Sequence, residues 1–270
     1  MRQNDDRLSK PEAPKVPQSN VGLMNYVVPT EVVDLPSKGV FYPKDHPLHN
    51  QEFVEIKHMT AKEEDILTST SLITKGVVLD HLIQSLLLDK NINARTLFTG
   101  DRNAILVNAR MNAYGSDYKA SSICSECSAM TDTTFDLSKM KSKEDSLDEE
   151  SLRFTLPKTE FAVTIRFLTV HEEGLLEKEV EKRTKMGFPD SSLTTFLKFI
   201  VTSVDGVSAS DGFISQFLEN MPTVDAKFIK KRYVDSKPDV DFSQEVECKS
   251  CSHTERREMP ISANFFWPQS

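Results

Sequence analysis

The sequence predicts an α+β protein, in which helices and short strands alternate along one chain. Three observations support this fold class. Within residues 51–60, the apolar Val54 and Ile56 alternate with the polar Glu55 and Lys57, as in a half-buried strand. Residues 191–202 repeat apolar side chains at the spacing of one helix face. Two Cys-x-x-Cys pairs, each between strand-like flanks, account for all four cysteines.

The overall composition is that of an acidic globular protein. The chain has 270 residues, enough for one large or two modest domains, and a net charge of −8. It has no run of the roughly 18 apolar residues that a membrane span needs, and its N-terminus lacks the apolar region of a secretory signal. We therefore expect the chain to fold in a reducing cytoplasm, where thiols favour metals over disulfides.

The charge also bears on nucleic-acid binding, which usually requires a basic surface to displace counterions from phosphates. An acidic chain argues against this function. A local basic patch remains at Lys227, Lys230, Lys231 and Arg232, although the solvated face of a helix is the better explanation of it.

The first 115 residues are predicted to form an arm and a helical domain. Residues 1–30 are polar and contain several prolines, so we expect a flexible N-terminal arm. Residues 31–115 are predicted to form a helical domain with short N-terminal strands. Pro36 and the turn Ser37-Lys38-Gly39 separate two short extended pieces, and the strand within residues 51–60 places Val54 and Ile56 on its buried side.

Local end signals define the helices of this domain. Thr60 and Glu63 form a capping box, in which each side chain satisfies a backbone amide of the other residue. Asp101 is the expected N-cap of another helix, and Gly115 ends that helix. The predicted helices cover residues 61–73, 77–88 and 101–114.

Residues 137–240 are predicted to form an inserted α+β region between the two cysteine pairs. Its charged segment 141–150 is the expected linker, and residues 152–170 form two strands that turn near Pro157. The predicted helices of this region cover residues 172–184, 191–202, 212–220 and 224–234.

The cysteines carry the chemistry of this sequence. A two-residue gap lets a tight turn direct both thiolates of a pair at one ion, and four thiolates favour zinc. The pairs Cys124/Cys127 and Cys248/Cys251 therefore predict one structural zinc site. Their flanks read as strand, turn and strand, so residues 116–136 and 241–262 are predicted to form a split zinc ribbon. About 120 residues separate the pairs. Such a long connection is acceptable because the entropic cost of closing a loop rises only slowly with its length.

Other interpretations of the cysteines remain open at this point. They are a pair of redox motifs, an iron–sulfur cluster, and a distorted site in which His253 replaces Cys251. A redox motif is expected at a helix N-terminus, which neither pair occupies. Many zinc knuckles have Pro after the first cysteine and Gly after the second. This chain has serine at the latter positions, Ser128 and Ser252.

No motif of an enzyme is present in the sequence. It contains no phosphate-binding loop, dinucleotide fingerprint, HExxH or GxSxG motif. A zinc ion with four thiolates has no open position for substrate or water. His171-Glu172-Glu173 is better explained as a helix start with acidic residues at the positive end of the dipole. The aromatic residues Phe265, Phe266 and Trp267 either close the core or contact a partner. We therefore expect a scaffold or assembly factor that is not an enzyme.

Several long sequence segments resemble those of a known protein family. LPSKGVFYP, MTAKEEDILTS, FTGDRNAILVNARMNAYGSDYKASSICSEC, FDLS and VTIRFLTVHEE are similar to the baseplate hub assembly proteins of T-even-type contractile-tailed bacteriophages. The resemblance covers residues 32–175, and beyond them only the order of elements agrees.

The resemblance implies a non-enzymatic role in building the central hub of the tail baseplate. It implies binding to hub or tape-measure-type tail proteins, in the host cytoplasm during tail assembly or in the baseplate of the virion. The family supplies no catalytic residues to carry over. A zinc-ribbon regulator that binds nucleic acid is the alternative, and the charge of −8 disfavours it.

Overall fold

The computed structural model describes residues 27–143, 148–186, 192–208, 212–259 and 265–266. Helices and short antiparallel strands alternate through these residues, which confirms the α+β prediction. The helices are α1 (Ala61–Thr68), α2 (Thr70–Thr74), α3 (Val78–Leu86), α4 (Thr99–Tyr114), α5 (Val170–Lys185), α6 (Ser192–Ile200), α7 (Gly212–Asn220) and α8 (Thr223–Ser236).

The strands form one four-stranded sheet and several two-stranded pairs, all antiparallel. The pairs are β1 (Thr30–Asp34) with β2 (Phe53–Lys57), β3 (Asp117–Ile123) with β4 (Met130–Asp136), β5 (Lys141–Ser142) with β10 (Val240–Asp241), and β11 (Ser243–Glu247) with β12 (Thr254–Glu258). The sheet has the order β6 (Arg153–Thr155), β7 (Ala162–Ile165), β8 (Val201–Val204), β9 (Val207–Ser208).

The β1–β2 hairpin and helices α1 to α4 contain the first part of the core. Val54 and Ile56 are buried and Glu55 is exposed, which confirms the predicted face of β2. The segment after Pro36 forms turns rather than a second strand. Side chains with no solvent exposure in this part are Ile56, Leu67, Leu82, Ile83, Leu86, Leu87, Leu97 and Ile105.

The capping box at the start of α1 is confirmed, but the helix is shorter than predicted. The Glu63 carboxylate accepts hydrogen bonds from the Thr60 amide (2.9 Å) and hydroxyl (2.6 Å). The helix then breaks at Ser69, whose backbone is extended. The segment Thr68–Ser71 alternates Thr and Ser, whose side chains disfavour helix interiors, and the Thr68 hydroxyl bonds the Glu64 carbonyl (2.9 Å).

The prediction that Asp101 is an N-cap is wrong. Helix α4 begins at Thr99, and Asp101 lies buried in its first turn. Its carboxylate accepts bonds from the Ser37 amide (2.9 Å), the Ser37 hydroxyl (2.6 Å) and the Tyr42 hydroxyl (2.7 Å). Burial raises the pKa of this carboxyl group. Asp101 therefore anchors the turn segment to α4 instead of closing the helix end, whereas Gly115, at φ 85°, ends α4 as predicted.

The second part of the core surrounds the four-stranded sheet. The strands on either side of Pro157 are confirmed as β6 and β7. The helix predicted over residues 191–202 is too long, because its last two residues, Val201 and Thr202, begin strand β8. Val201 and Val204 are buried, and β-branched residues favour a strand once a partner such as β7 is available. The predicted N-cap of α6, Asp190 or Ser191, lies outside the described residues.

Both ends of the region between the cysteine pairs return to the same place. Strand β5 pairs with β10, and the Lys143 amide bonds the Asp239 carbonyl (2.9 Å). Here the chain also passes close to α4, since a Cβ on Gly100 would lie 2.1 Å from the Pro238 carbonyl oxygen. Glycine is therefore required at position 100. This return brings β4 and β11, and with them the two cysteine pairs, to one side of the molecule.

Candidate metal centre

Each cysteine pair lies in the turn of its own hairpin. Cys124 and Cys127 connect β3 to β4, and Cys248 and Cys251 connect β11 to β12. This placement confirms the predicted strand flanks. It also argues against the redox interpretation, because neither pair lies at a helix N-terminus.

The two turns have the same backbone structure. The Ser128 amide bonds the Cys124 carbonyl at 3.0 Å, and the Ser252 amide bonds the Cys248 carbonyl at 2.8 Å. Ser128 and Ser252 have φ angles of 55° and 57°, in the left-handed region where glycine is favoured. The turns thus form without the glycine of many zinc knuckles, at the cost of backbone strain in each.

The four sulfur atoms meet in a cluster that has the dimensions of a metal site. The Sγ atoms of Cys124 and Cys251 lie 3.8 Å apart, as do those of Cys127 and Cys248, and all four lie within 4.8 Å of one another. Sulfurs at the corners of a tetrahedron around zinc, with Zn–S of about 2.3 Å, lie about 3.8 Å apart. The two short distances therefore fit a tetrahedral site with thiolate ligands.

The cluster consists of cysteines alone. Within the part of the chain that the structure describes, it is the one group of three or more potential ligands whose donor atoms converge. His253 is not part of it, and its carbonyl instead accepts a bond from the Cys248 amide (2.8 Å). Cys124 and Cys248 are buried, whereas Cys127 and Cys251 are exposed.

The electrostatics of the cluster favour a cation. The backbone amides of Ser250 and Cys251 stabilise the Cys248 thiolate and lower its pKa to about 6. The backbone amide of His253 also favours the Cys251 thiolate, but hydrogen bonds with the other thiols outweigh it and raise the pKa of Cys251 to about 12. Four adjacent sulfurs do not all ionise without a positive charge between them, and a divalent ion removes this obstacle.

Two polar contacts that the sequence does not reveal join the hairpins, one beside the cysteines and one at the base of the hairpins. On β12, Glu255 accepts hydrogen bonds from Ser125 in the other hairpin and from Arg257 in its own strand. The Ser125 hydroxyl and the Arg257 guanidinium lower the pKa of Glu255 to about 2. On β11, Gln244 bonds the backbone of Asp136. A contact between residues more than 100 positions apart leaves no pattern in the sequence.

The basic patch of the sequence is only partly a surface feature. Lys227, Lys230 and Lys231 are exposed on α8. Arg232 is half-buried, with its guanidinium 5.5 Å from the centre of the Phe154 ring and bonded to the Ser151 carbonyl. Arg232 therefore packs α8 against the sheet and does not extend the lysine face.

The C-terminal aromatic residues contribute to the core. Phe265 and Phe266 are each 3% exposed, and Phe265 packs edge-on against Tyr118 of β3 with ring centres 5.3 Å apart. Their burial next to β3 supports the base of the first hairpin. Trp267 lies outside the described residues.

Comparisons with known proteins place the chain in a family. The family described as "T4 bacteriophage base plate protein" matches residues 31–267. No curated protein and no solved structure matches the chain. Of the helices that the structure describes, none is both long enough and apolar enough to cross a bilayer. Because the match spans nearly the whole sequence, the chain belongs to the T4 bacteriophage base plate protein family.

Proposed function

We propose that the protein is a non-enzymatic structural component or assembly factor of the phage tail, which acts in the central hub of the baseplate by binding other tail proteins. The family match over residues 31–267 carries this proposal, because it supports a baseplate role and association with other baseplate proteins. The hub position and the tape-measure-type partner are our inference from the sequence resemblance. The expected locations are the host cytoplasm during tail assembly and the tail of the virion.

A structural zinc ion is the second part of the proposal. Cys124, Cys127, Cys248 and Cys251 would be its four ligands, and the two 3.8 Å sulfur–sulfur distances support this assignment. Bound zinc would supply a closed tetrahedral cross-link between segments about 120 residues apart. Four protein ligands leave no position for a substrate, so the site would stabilise the fold and take no part in catalysis.

The polar groups around one apolar cavity also support a non-enzymatic role. The cavity has a volume of about 410 Å³ and is lined mainly by aromatic and aliphatic side chains, among them Phe41 and Phe167. Its charged residues, Arg166 and Glu172, pair with each other at 2.7 Å. Glu172 also caps α5 through the Thr169 amide (2.9 Å). These groups are committed to local structure and are not positioned as an acid and a base for a ligand.

The predicted domain boundaries form part of the same proposal. Residues 31–115 would be one domain, 116–136 and 241–262 the split ribbon, and 137–240 the insertion. The pairing of β5 with β10 supports the insertion, because it brings the two ends of that region together.

Affinity purification from infected cells tests the function. We expect a tagged chain to co-purify with baseplate hub and tape-measure-type proteins in preference to other tail proteins, also after nuclease treatment. Mass spectrometry of purified virions then separates a resident component from an assembly factor that leaves. Absence of tail proteins from the purification, or normal tails after deletion of the gene, would contradict the proposal. Binding to DNA that weakens steeply with salt would favour the regulator instead.

Metal analysis tests the site. We expect about one zinc per chain in the purified wild type. The Cys248→Ser variant should lose it and Lys249→Ala, in the same turn, should keep it. Cobalt substitution should give the absorption of tetrahedral sulfur coordination. A metal-free wild type purified without chelators would refute the zinc assignment and leave the baseplate role untouched.

A further inference from the structure

The base of the two cysteine hairpins is joined by a side chain that imitates strand pairing. The Gln244 side chain donates a hydrogen bond to the Asp136 carbonyl (2.6 Å) and accepts one from the Asp136 amide (3.0 Å). These are the two bonds that a residue of a neighbouring antiparallel strand would make. Strands β4 and β11 are therefore connected at this point by protein atoms alone.

The tip of the hairpins is joined in a similar way. The Glu255 carboxylate accepts bonds from the Ser125 amide (3.2 Å) and the Ser125 hydroxyl (2.5 Å). Ser125 lies between the two cysteines of the first turn, whereas Glu255 belongs to the second hairpin. Glu255 thus spans the same gap that a bound metal would span.

The position of Glu255 is itself restrained. The Arg257 Nε atom donates a bond of 2.7 Å to the carboxylate, and Arg257 is only 8% exposed. Since both residues lie on one face of β12, the buried guanidinium holds the carboxylate in the direction of the other hairpin. An exposed ion pair would contribute little, but a carboxylate fixed by a buried partner accepts the Ser125 bonds with little loss of side-chain freedom.

We propose that Glu255 and Gln244 are positioning residues that hold the two hairpins together before a metal binds. The four thiols are then already adjacent, and metal binding does not have to order two segments that are distant in the sequence. Such preorganisation raises affinity because less conformational entropy is lost on binding. The expected gain in zinc affinity rests on the proposed zinc site, whereas the alignment of the two hairpins in the metal-free protein does not.

The Glu255→Gln variant tests the proposal, because it keeps the shape but replaces one acceptor oxygen by a donor. Glu258→Gln is the matched control, since Glu258 is exposed on the same strand. Glu255→Asp, which keeps the charge but shortens the side chain, gives a second test should Glu255→Gln fail to fold. Retention of the wild-type thermal transition of the helices shows that each variant is folded.

The first measurement uses reduced protein from which metal has been removed. Mild oxidation with diamide, followed by peptide mapping, gives the ratio of disulfides between hairpins, such as Cys124–Cys251, to disulfides within one turn. We expect this ratio to fall at least about fivefold in Glu255→Gln, to fall less in Glu255→Asp, and to be unchanged in Glu258→Gln, because only contacts that align the hairpins promote the long-range pairs. An unchanged ratio in Glu255→Gln and in Glu255→Asp would overturn the proposal, even if the wild type bound no metal.

The second measurement is zinc affinity by chelator competition. We expect Glu255→Gln to bind roughly 10- to 100-fold more weakly, as loss of outer partners does at other metal sites, and Glu258→Gln to match the wild type. Weaker binding with an unchanged disulfide ratio would also overturn the proposal, because Glu255 would then act only after the metal had bound.

Discussion

The helical region from β1 to α4 and the pair of cysteine hairpins differ in what lies between their elements. In the helical region, helices meet through leucine and isoleucine side chains that have no solvent exposure, such as Leu82 and Leu86. In the hairpin strands near the cysteines, the buried side chains include three polar ones, Thr131, Thr133 and Arg257, each 8% exposed, together with Val246 at 7%.

This difference explains why the hairpins carry cross-links. Hydrophobic burial stabilises roughly in proportion to the apolar area removed from water. The first hairpin buries Tyr118 and Phe135 at its base, away from the cysteine turn, and a two-stranded hairpin is only marginally stable by itself. The thiol cluster at the tip, the Glu255–Ser125 contact beside it and the Gln244–Asp136 contact at the base each join the hairpins at one point. The helical region has polar anchors of its own at Asp101 and Glu63, but its helices meet mainly through buried apolar side chains.

Removal of the metal should produce the largest difference in stability between the helical region and the cysteine hairpins. Structural zinc contributes roughly 10 kcal/mol or more in small zinc-binding peptides. We expect chelation to lower the hydrogen-exchange protection of β3, β4, β11 and β12 by orders of magnitude and to leave α3 and α4 unchanged. Some protection should remain, since Gln244 and Glu255 still connect the hairpins. Equal loss of protection in α3 would show that the regions unfold as one unit.

Truncation of the helical core should give the opposite result. Leu82→Ala removes a side chain of α3 with no solvent exposure and should lower the free energy of unfolding by about 2–5 kcal/mol in chemical denaturation. Zinc content should not change. Leu88→Ala is the control, because Leu88 is 40% exposed and its truncation should have a much smaller effect. A loss of zinc in Leu82→Ala would mean that the ribbon depends on this core.

A buried carboxylate makes the helical region sensitive to acid. Burial alone would raise the pKa of Glu63, but hydrogen bonds from Lys57, Ser85 and Thr60 lower it from 4.5 to about 2. Because the pKa is lower in the folded state, the stabilisation is complete above pH 4.5 and is lost as the pH falls towards 2.

Ionised Glu63 is expected to contribute about 2–3 kcal/mol to the free energy of unfolding at neutral pH. Denaturation of Glu63→Gln at pH 7 and at pH 3 should therefore show a deficit against the wild type that shrinks at the lower pH. Asp65→Asn, an exposed acidic residue of the same helix, is the control and should show almost none. A deficit that stays constant with pH would argue that lost hydrogen-bond geometry, and not ionisation, causes it.

The smallest effect is expected from relief of strain in the cysteine turns. Ser128 has a φ of 55°, which a glycine adopts without steric cost. Ser128→Gly should stabilise the zinc-bound ribbon by up to about 1 kcal/mol, less the extra freedom of glycine in the unfolded chain. Chelator competition would detect this as tighter zinc binding. The control Ser121→Gly, which places glycine in the middle of β3, should instead lower the stability of the ribbon. Weaker binding of Ser128→Gly would indicate that the serine side chain has a role of its own.

Much of the fold follows from the sequence by itself, because the signals involved are local. The alternation around Val54 and Ile56, the Thr60–Glu63 capping box and the glycine at the end of α4 each depend on residues a few positions apart. The Cys-x-x-Cys spacing is local in the same sense. It predicted the four residues whose sulfurs converge, while zinc itself stays a prediction.

Only the tertiary structure decided the features that depend on which surfaces meet. The sequence predicts Asp101 as an N-cap, but in the fold its buried carboxylate accepts hydrogen bonds from Ser37 and Tyr42 instead. Val201 and Thr202 continue the helical pattern of residues 191–202, but pairing with β7 makes them the start of strand β8. Glu255 and Ser125, 130 positions apart, became partners because the intervening chain returns to its starting point. Local periodicity reflects the conformational preference of a single helix or strand. Contacts such as these form only when elements that are distant in the sequence pack against each other.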